Sequence, residues 1–347
     1  MPSPYTTEQL SDRQQESYIL DGINFSNRNN LGIPGIVDSI KWTAGGVGSE
    51  TDMTNANYPT YRMYDDRGNI VSEIAYQYGT TLATTYVNIN INTSVGTPSF
   101  KFDHIAILGH NFVSGPLNAG NAGNDATIKV DWQIADDASF TTNVLTGAEI
   151  TANSIYTNQG TSDVRLVWTN LSVSGVYYVP RFKDVTFFRF RIKHASASTP
   201  AQNWIPCIGE IWMGERTAFK QGPLLEYDNE WQSSLVENGT SYTGQTNRFS
   251  FNTSQGRRSL KWYFAGRDAE GELAEFNRWW QHTEGGTKPF LFWENITSEP
   301  IKTCKLMMVE DPDFSAPLSG YDYRELSLEL IEQPPFIAND APLEAIP

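Results

Sequence analysis

The sequence predicts a mainly β chain: an N-terminal antiparallel β-sandwich, then a β-barrel-like domain with one inserted helix. Three observations lead there. Aromatic residues make up 13% of the 347 positions and are spread among many Asn, Thr, Ser and Gly. Aromatic and β-branched side chains suit a half-buried pleated surface, while Asn and Gly supply tight turns. Short stretches of period-2 alternation recur at intervals of roughly 8–15 residues, without the alternating helices of a parallel sheet. One stretch, 268–282, carries helical periodicity instead.

Residues 1–16 are polar and read as an N-terminal arm. A first domain over 17–216 opens with strand candidates at 17–20, 36–42, 58–64, 70–78 and 84–91. In the last of these Tyr86 to Ile91 alternate, the mark of a strand with one wet face. The continuous apolar run 102–108, ending at Gly109, predicts a buried strand. Residues 111–125 form a Gly/Asn loop, and another such loop spans 43–57. Strands follow at 127–134, 164–168, 176–179, 185–193 and 208–213. In 185–193, Phe188, Phe190 and Ile192 face one way, and Arg189, Arg191 and Lys193 the other.

The polar stretch 215–222 marks the domain boundary, and the second domain runs over 217–332. Its strands are predicted at 231–236, 248–252, 259–265, 289–293, 304–310 and 324–331. In the last, Leu326, Leu328 and Leu330 share a face. The helix has Asp268 as N-cap, with Glu270 and Glu272 in the first turn, where they favour its dipole. Leu273, Phe276, Trp279 and Trp280 form one apolar stripe, and Gly285-Gly286 stop the helix. Residues 333–347 are Pro-rich and acidic and read as an extended C-terminal arm.

Charge narrows the function classes. With 40 acidic and 25 basic residues the net charge is −15, and no basic stripe is present to neutralise phosphates, so no nucleic-acid partner is expected. The two cysteines, Cys207 and Cys304, cannot build a disulfide scaffold or, alone, a zinc site. No apolar run approaches the ~20 residues of a membrane span, so no membrane insertion is expected. The opening residues lack a basic start and an apolar stretch, so no signal peptide is expected, and synthesis is expected in a cytoplasm.

Two groups of residues resemble phage proteins. The order Gly256-Arg257-Arg258-Ser259-Leu260-Lys261-Trp262, then Phe276-Asn277-Arg278-Trp279-Trp280, then Gly285-Gly286-Thr287-Lys288-Pro289-Phe290-Leu291-Phe292-Trp293 resembles a module of bacteriophage tail-tip and distal-tail proteins. The resemblance covers about 225–335, with 256–293 the distinctive part. It implies an assembly motif of Arg257, Arg258, Trp279, Trp280, Pro289 and Phe290. In the first domain, residues 102–111, 131–140, 187–192 and 208–214 resemble a discoidin-like jelly roll. That fold implies a sugar- or membrane-binding loop end, or, in phage proteins, an oligomer contact. The long loops at 43–57 and 111–125 depart from it.

Candidate chemistry is sparse. His104 and His110, with Asp103 adjacent, are candidate ligands or acid/base groups; the alternative is a buried strand start and a turn cap. Asp131, Asp136 and Asp137 are candidate oxygen ligands for a calcium ion, but the D-x-D-x-D-G loop is absent and Asp136-Asp137 also suits a hairpin turn. No G-x-S-x-G elbow or P-loop is present. Tyr58, Phe112 and Tyr156 are the candidate surface-binding aromatics, while the tryptophans are expected in cores.

The expectation is therefore a non-enzymatic structural component of a phage virion tail with no cofactor. It would assemble as a ring or trimer with itself and with other tail proteins. The alternative is a receptor- or glycan-binding adhesin whose partner is a host-surface glycan. A third reading is a polysaccharide-degrading enzyme built on two carboxylates.

Overall fold

The computed structural model describes residues 24–44, 52–65, 71–75, 84–91, 101–110, 112, 128–151, 165–169, 182–183, 185–194, 206–217, 228–232, 235–240, 246–251, 255–265, 268–293, 296, 304–310 and 323–332. The expected arms at 1–16 and 333–347, the strands at 17–20 and 176–179, and nearly all of the 111–125 loop lie outside them. The chain divides into two compact units. One is built on Asn29–Glu215, the other on Ile19–Arg28 with Arg216–Pro335. The first strand, β1 (Asn24–Ser26), belongs to the second unit.

The first unit holds β2 (Val37–Ala44), β3 (Ser72–Glu73), β4 (Thr84–Ile91), β5 (Lys101–Phe102), β6 (His104–Leu108), β7 (Ile128–Ala135) and β8 (Leu145–Thr146). It continues with β9 (Ile150–Thr151), β10 (Arg165–Trp168), β11 (Phe182–Lys183), β12 (Phe187–His194), β13 (Cys207–Ile208) and β14 (Glu210–Gly214). A six-stranded antiparallel sheet runs β2-β4-β12-β7-β8, with β9 also on β7, and a three-stranded sheet runs β10-β6-β14. Register explains the core. Phe188 lies opposite Ile89 and Ile134, and Phe190 opposite Val87 and Trp132, so the apolar residues of three strands share one face. Trp168 of the smaller sheet meets Phe190 of the larger at 6.1 Å between ring centroids.

Every residue of β6 and β14 is buried, so both faces of the small sheet are covered. The 3-10 turn Asn30–Gly32 lies against β14. Asn29 just before it donates from Nδ2 to the Ile211 carbonyl at 2.8 Å and accepts at Oδ1 from Met213 N at 3.2 Å. One side-chain amide thus satisfies two backbone groups of an edge strand. The strand expected at 58–64 is instead a 3-10 turn, Thr60–Met63. Pro59 at its N-cap supplies no backbone donor to a ladder, which favours the turn. The strand expected at 70–78 is described only as β3 and a bridge between Thr54 and Ile74.

In the second unit β15 (Arg216–Thr217), β16 (Asp228–Gln232), β19 (Gln255–Ala265), β20 (Phe290–Trp293), β21 (Cys304–Val309) and β22 (Tyr323–Glu332) join β1 in a seven-stranded sheet, order β15-β1-β20-β21-β22-β19-β16. The single strand expected at 231–236 is broken, because β16 ends at Gln232 and β17 (Leu235–Thr240) pairs with β18 (Thr246–Phe251) as a separate hairpin. Leu326, Leu328 and Leu330 are buried between exposed Ser327 and Glu329, the alternation expected of a one-sided strand. The sheet is open: the closure of a barrel is not found among the described strands.

Helix α1 (Asp268–His282) packs on this sheet. Phe276 and Trp279 are buried, whereas Ala274, Asn277, Arg278 and Gln281 face outward. Its end follows from local chemistry. Glu284, Gly285 and Gly286 take φ of 52°, 73° and 78°, the left-handed conformation that turns a chain out of a helix. The Thr283 hydroxyl accepts from Gly286 N at 3.3 Å and lies 3.1 Å from the Trp279 carbonyl, to which it donates.

Candidate functional site

Of the expected assembly motif, Trp279 and Phe290 lie in one core and Trp280 packs against it. Phe25, Leu260, Phe276, Trp279, Phe290, Phe292, Met307, Val309 and the three leucines of β22 pack together, with Trp280 half-buried against them. Trp279 is the hub: its ring lies 5.5 Å from Phe25, 5.2 Å from Phe276 and 4.9 Å from Phe290. Pro289 is buried at the mouth of β20. Arg258 is 1% exposed on β19, where its neighbours in register are Asn229 and Leu330. Arg257 is opposite Glu230 and Ile331. The arrangement builds a sheet-and-helix body in which β15 and β16 stand at the two ends of the strand order among the described residues.

The candidate calcium ligands separate. Asp131, 2% exposed, accepts from Arg191 Nε at 2.6 Å on Oδ1 and from Arg191 Nη2 at 2.6 Å on Oδ2. Lys193 Nζ also lies 2.6 Å from Oδ2. Glu149 extends the network to Lys193 and Lys129, each at 2.8 Å, and these bonds hold its carboxyl below the ordinary carboxylate range. Asp136 and Asp137 sit in the following turn. Asp137 accepts from the backbone of Thr141 at 3.0 Å and Thr142 at 2.6 Å, which lowers its pKa, and Asp136 accepts from Asn143 Nδ2 at 2.6 Å. Among the described residues no cluster of three or more His, Cys, Asp or Glu could hold a metal ion.

The histidines are interior groups. His104 is fully buried, its Nδ1 2.8 Å from Asp103 Oδ1. His110 accepts from Phe112 N at Nδ1, 3.2 Å away, and burial pushes its pKa down to about 3, so the ring is neutral. Phe112 was expected on a surface loop, but it is fully buried and stacks on His110 with centroids 4.5 Å apart. The apolar ring gains more by leaving water than the polar segment around it suggests. Tyr58 is half-buried beneath the Arg62 guanidinium, 5.4 Å above its ring, and its neighbour Tyr61 is 55% exposed. Tyr156 lies outside the described residues.

The sequence did not reveal one further polar constellation, centred on Arg189. Arg189 lies between the rings of Phe140 at 4.1 Å and Tyr86 at 4.8 Å, and its Nε donates to Gln133 Oε1 at 2.8 Å. Burial lowers its pKa, opposed by Tyr86. The alternation of Arg189, Arg191 and Lys193 was visible, but the register that matches them with Gln133 and Asp131 was not. No protein-family model matches the sequence, and no curated protein matches it either.

Proposed function

We propose that the chain is a structural component of a phage tail, acting at the tail tip, distal tail or baseplate, which assembles as a homo-oligomer through its second unit. One observation carries the reading. The strand, helix, Gly turn and Pro-Phe-Leu-Phe strand that resemble the tail module pack into one core through Trp279 and Phe290. Among the described strands β16 ends the sheet, and a terminal strand is a template for a neighbouring chain. In this reading the first unit is a discoidin-like jelly roll. Its support is the six-stranded sheet packed on a three-stranded one. The work is geometric and needs no cofactor.

Light scattering on the full chain across concentrations tests the reading. A stable trimer, hexamer or dodecamer is expected, together with detection of the chain in purified virions. A monomer at all concentrations that is absent from virions overturns it.

A second reading, a glycan-binding adhesin, is favoured by the exposed Tyr61 beside the Arg62–Tyr58 stack, an aromatic and basic surface of the kind that sugars contact. A glycan array probed with the full chain tests it, with retained sugars as the expected result and none retained as its refutation.

A further inference from the structure

The polar face of the six-stranded sheet carries a buried arginine, Arg189. Arg189 is 8% exposed, yet the hydrogen bond it makes is from Nε to Gln133. A guanidinium has five N–H donors in a rigid fork. The four on the two terminal nitrogens have no acceptor among the described residues, and neither nitrogen is sealed from solvent. Directly across the ladder from Arg189 stands Asn88, whose Nδ2 donates to Thr43 Oγ1 at 3.0 Å and whose Oδ1 is buried with no donor. Unmet donors and an unmet acceptor therefore face each other on paired residues.

The surroundings hold the fork in place. Phe140 covers one face of the guanidinium and adopts φ of 53°, a conformation rare for a bulky residue. The turn that imposes it is tied down by Asp137 to Thr141 and Thr142 and by Asp136 to Asn143, itself at φ of 49°. Backbone strain maintained by so many bonds points to a function for what it positions. The next cations on the face, Arg191 and Lys193, are engaged by Asp131 and Glu149. Of the three cations on this face of β12, Arg189 alone has no hydrogen-bonded carboxylate among the described residues.

We propose that the Arg189 fork binds the carboxylate of an acidic saccharide. A carboxylate matches the fork as a bidentate acceptor. On the neighbouring strand the half-buried Tyr86 and Asn90 add a phenol and an amide, groups that pair with sugar hydroxyls, and Lys41 lies in register with Asn88. This deepens the adhesin reading by giving it a ligand class and a place other than Tyr61.

Calorimetry and NMR titration of the full chain with a glucuronate-containing oligosaccharide test the site, with the neutral glucose analogue and a poly-glutamate peptide as comparisons. The expected result is saturable uronate binding, weakened at least about tenfold for the neutral sugar and for Arg189→Lys, which keeps the charge but loses the fork. A second variant guards against misfolding. Asn88→Asp places an internal carboxylate opposite the fork, so it is expected to abolish uronate binding while raising the melting temperature. No uronate binding to the wild type, or binding unchanged in both variants, overturns the proposal. Peptide binding in place of uronate binding overturns it in favour of an acidic protein partner. Neutral-sugar binding indifferent to Arg189 overturns this site and leaves the adhesin reading standing.

Discussion

The indole Nε1 of Trp279 donates to the backbone carbonyl of Ser26 at 3.0 Å, joining helix α1 to β1 across 253 positions of sequence. Ser26 adds a second tie, because its hydroxyl oxygen accepts from Leu291 N at 2.8 Å at the start of β20. The first described strand is therefore pinned by both α1 and β20. Trp279→Phe keeps much of the apolar area but leaves a buried carbonyl unpaired, at about 1–3 kcal/mol, and adds a small cavity. A total loss of about 2–4 kcal/mol is expected in urea unfolding. A change under 0.5 kcal/mol would show that β1 is not held by this bond.

Asp131 and Glu149 offer a comparison within one network. Asp131 is 2% exposed and meets two cations, whereas the side chains of Glu149 and Lys129 are 35% and 42% exposed. Removing one partner of a buried pair strands the others, while a solvent-screened pair contributes little. Asp131→Asn is expected to cost about 2–4 kcal/mol and Glu149→Gln less than about 1 kcal/mol. Equal losses would mean that the two carboxylates experience the same dielectric environment.

His110 sets an acid limit on the first unit. Its pKa is about 3 in the folded chain and near 6.5 in the unfolded one. Between those values the unfolded state binds a proton that the folded state refuses. Stability therefore falls as pH drops from about 6.5 towards 3, at up to about 1.4 kcal/mol per pH unit, and levels off below. His110→Asn, which keeps an acceptor for Phe112 N, removes that share of the slope. Chemical unfolding of both proteins between pH 7 and 4.5 checks it. Parallel curves would show that the ring takes up its proton without opening the fold.

Much of the fold was legible where burial is one-sided. Phe188, Phe190 and Ile192, like Leu326, Leu328 and Leu330, alternate because one sheet face meets an apolar core and the other a polar network or water. The helix and its glycine stop were readable because both signals are local. Long-range pairing was not. Residues 24–26 lie within the range read as the first domain, and only their partners, Thr217 and Trp293, place them in the second sheet. The Arg189 site was hidden for the same reason: it needs the β7–β12 register and a left-handed Phe140, which a polar turn sequence does not announce.

The turn after α1 gives the last prediction, since its three left-handed residues differ in what they can tolerate. Gly285 and Gly286 lack a β-carbon to clash, but Glu284 holds φ of 52° with one. A left-handed L-residue costs about 1–2 kcal/mol. The Glu284 side chain is exposed, and the residue bonds through its backbone: its N donates to the Gln281 carbonyl at 3.2 Å and its carbonyl accepts from Thr287 Oγ1 at 2.8 Å. Glu284→Gly keeps both bonds and removes the strain, offset in part by the greater freedom of glycine in the unfolded chain. A net gain of about 0.5–1 kcal/mol is expected. At Gly286 the opposite holds, because a β-carbon there would stand 2.7 Å from Val309 Cγ2 at φ of 78°. Gly286→Ala is therefore expected to lose about 2 kcal/mol or more through combined strain and overpacking. Urea midpoints at unchanged slope read both effects. A loss at Glu284 would mean that its carboxylate does work in the turn that its backbone contacts do not reveal.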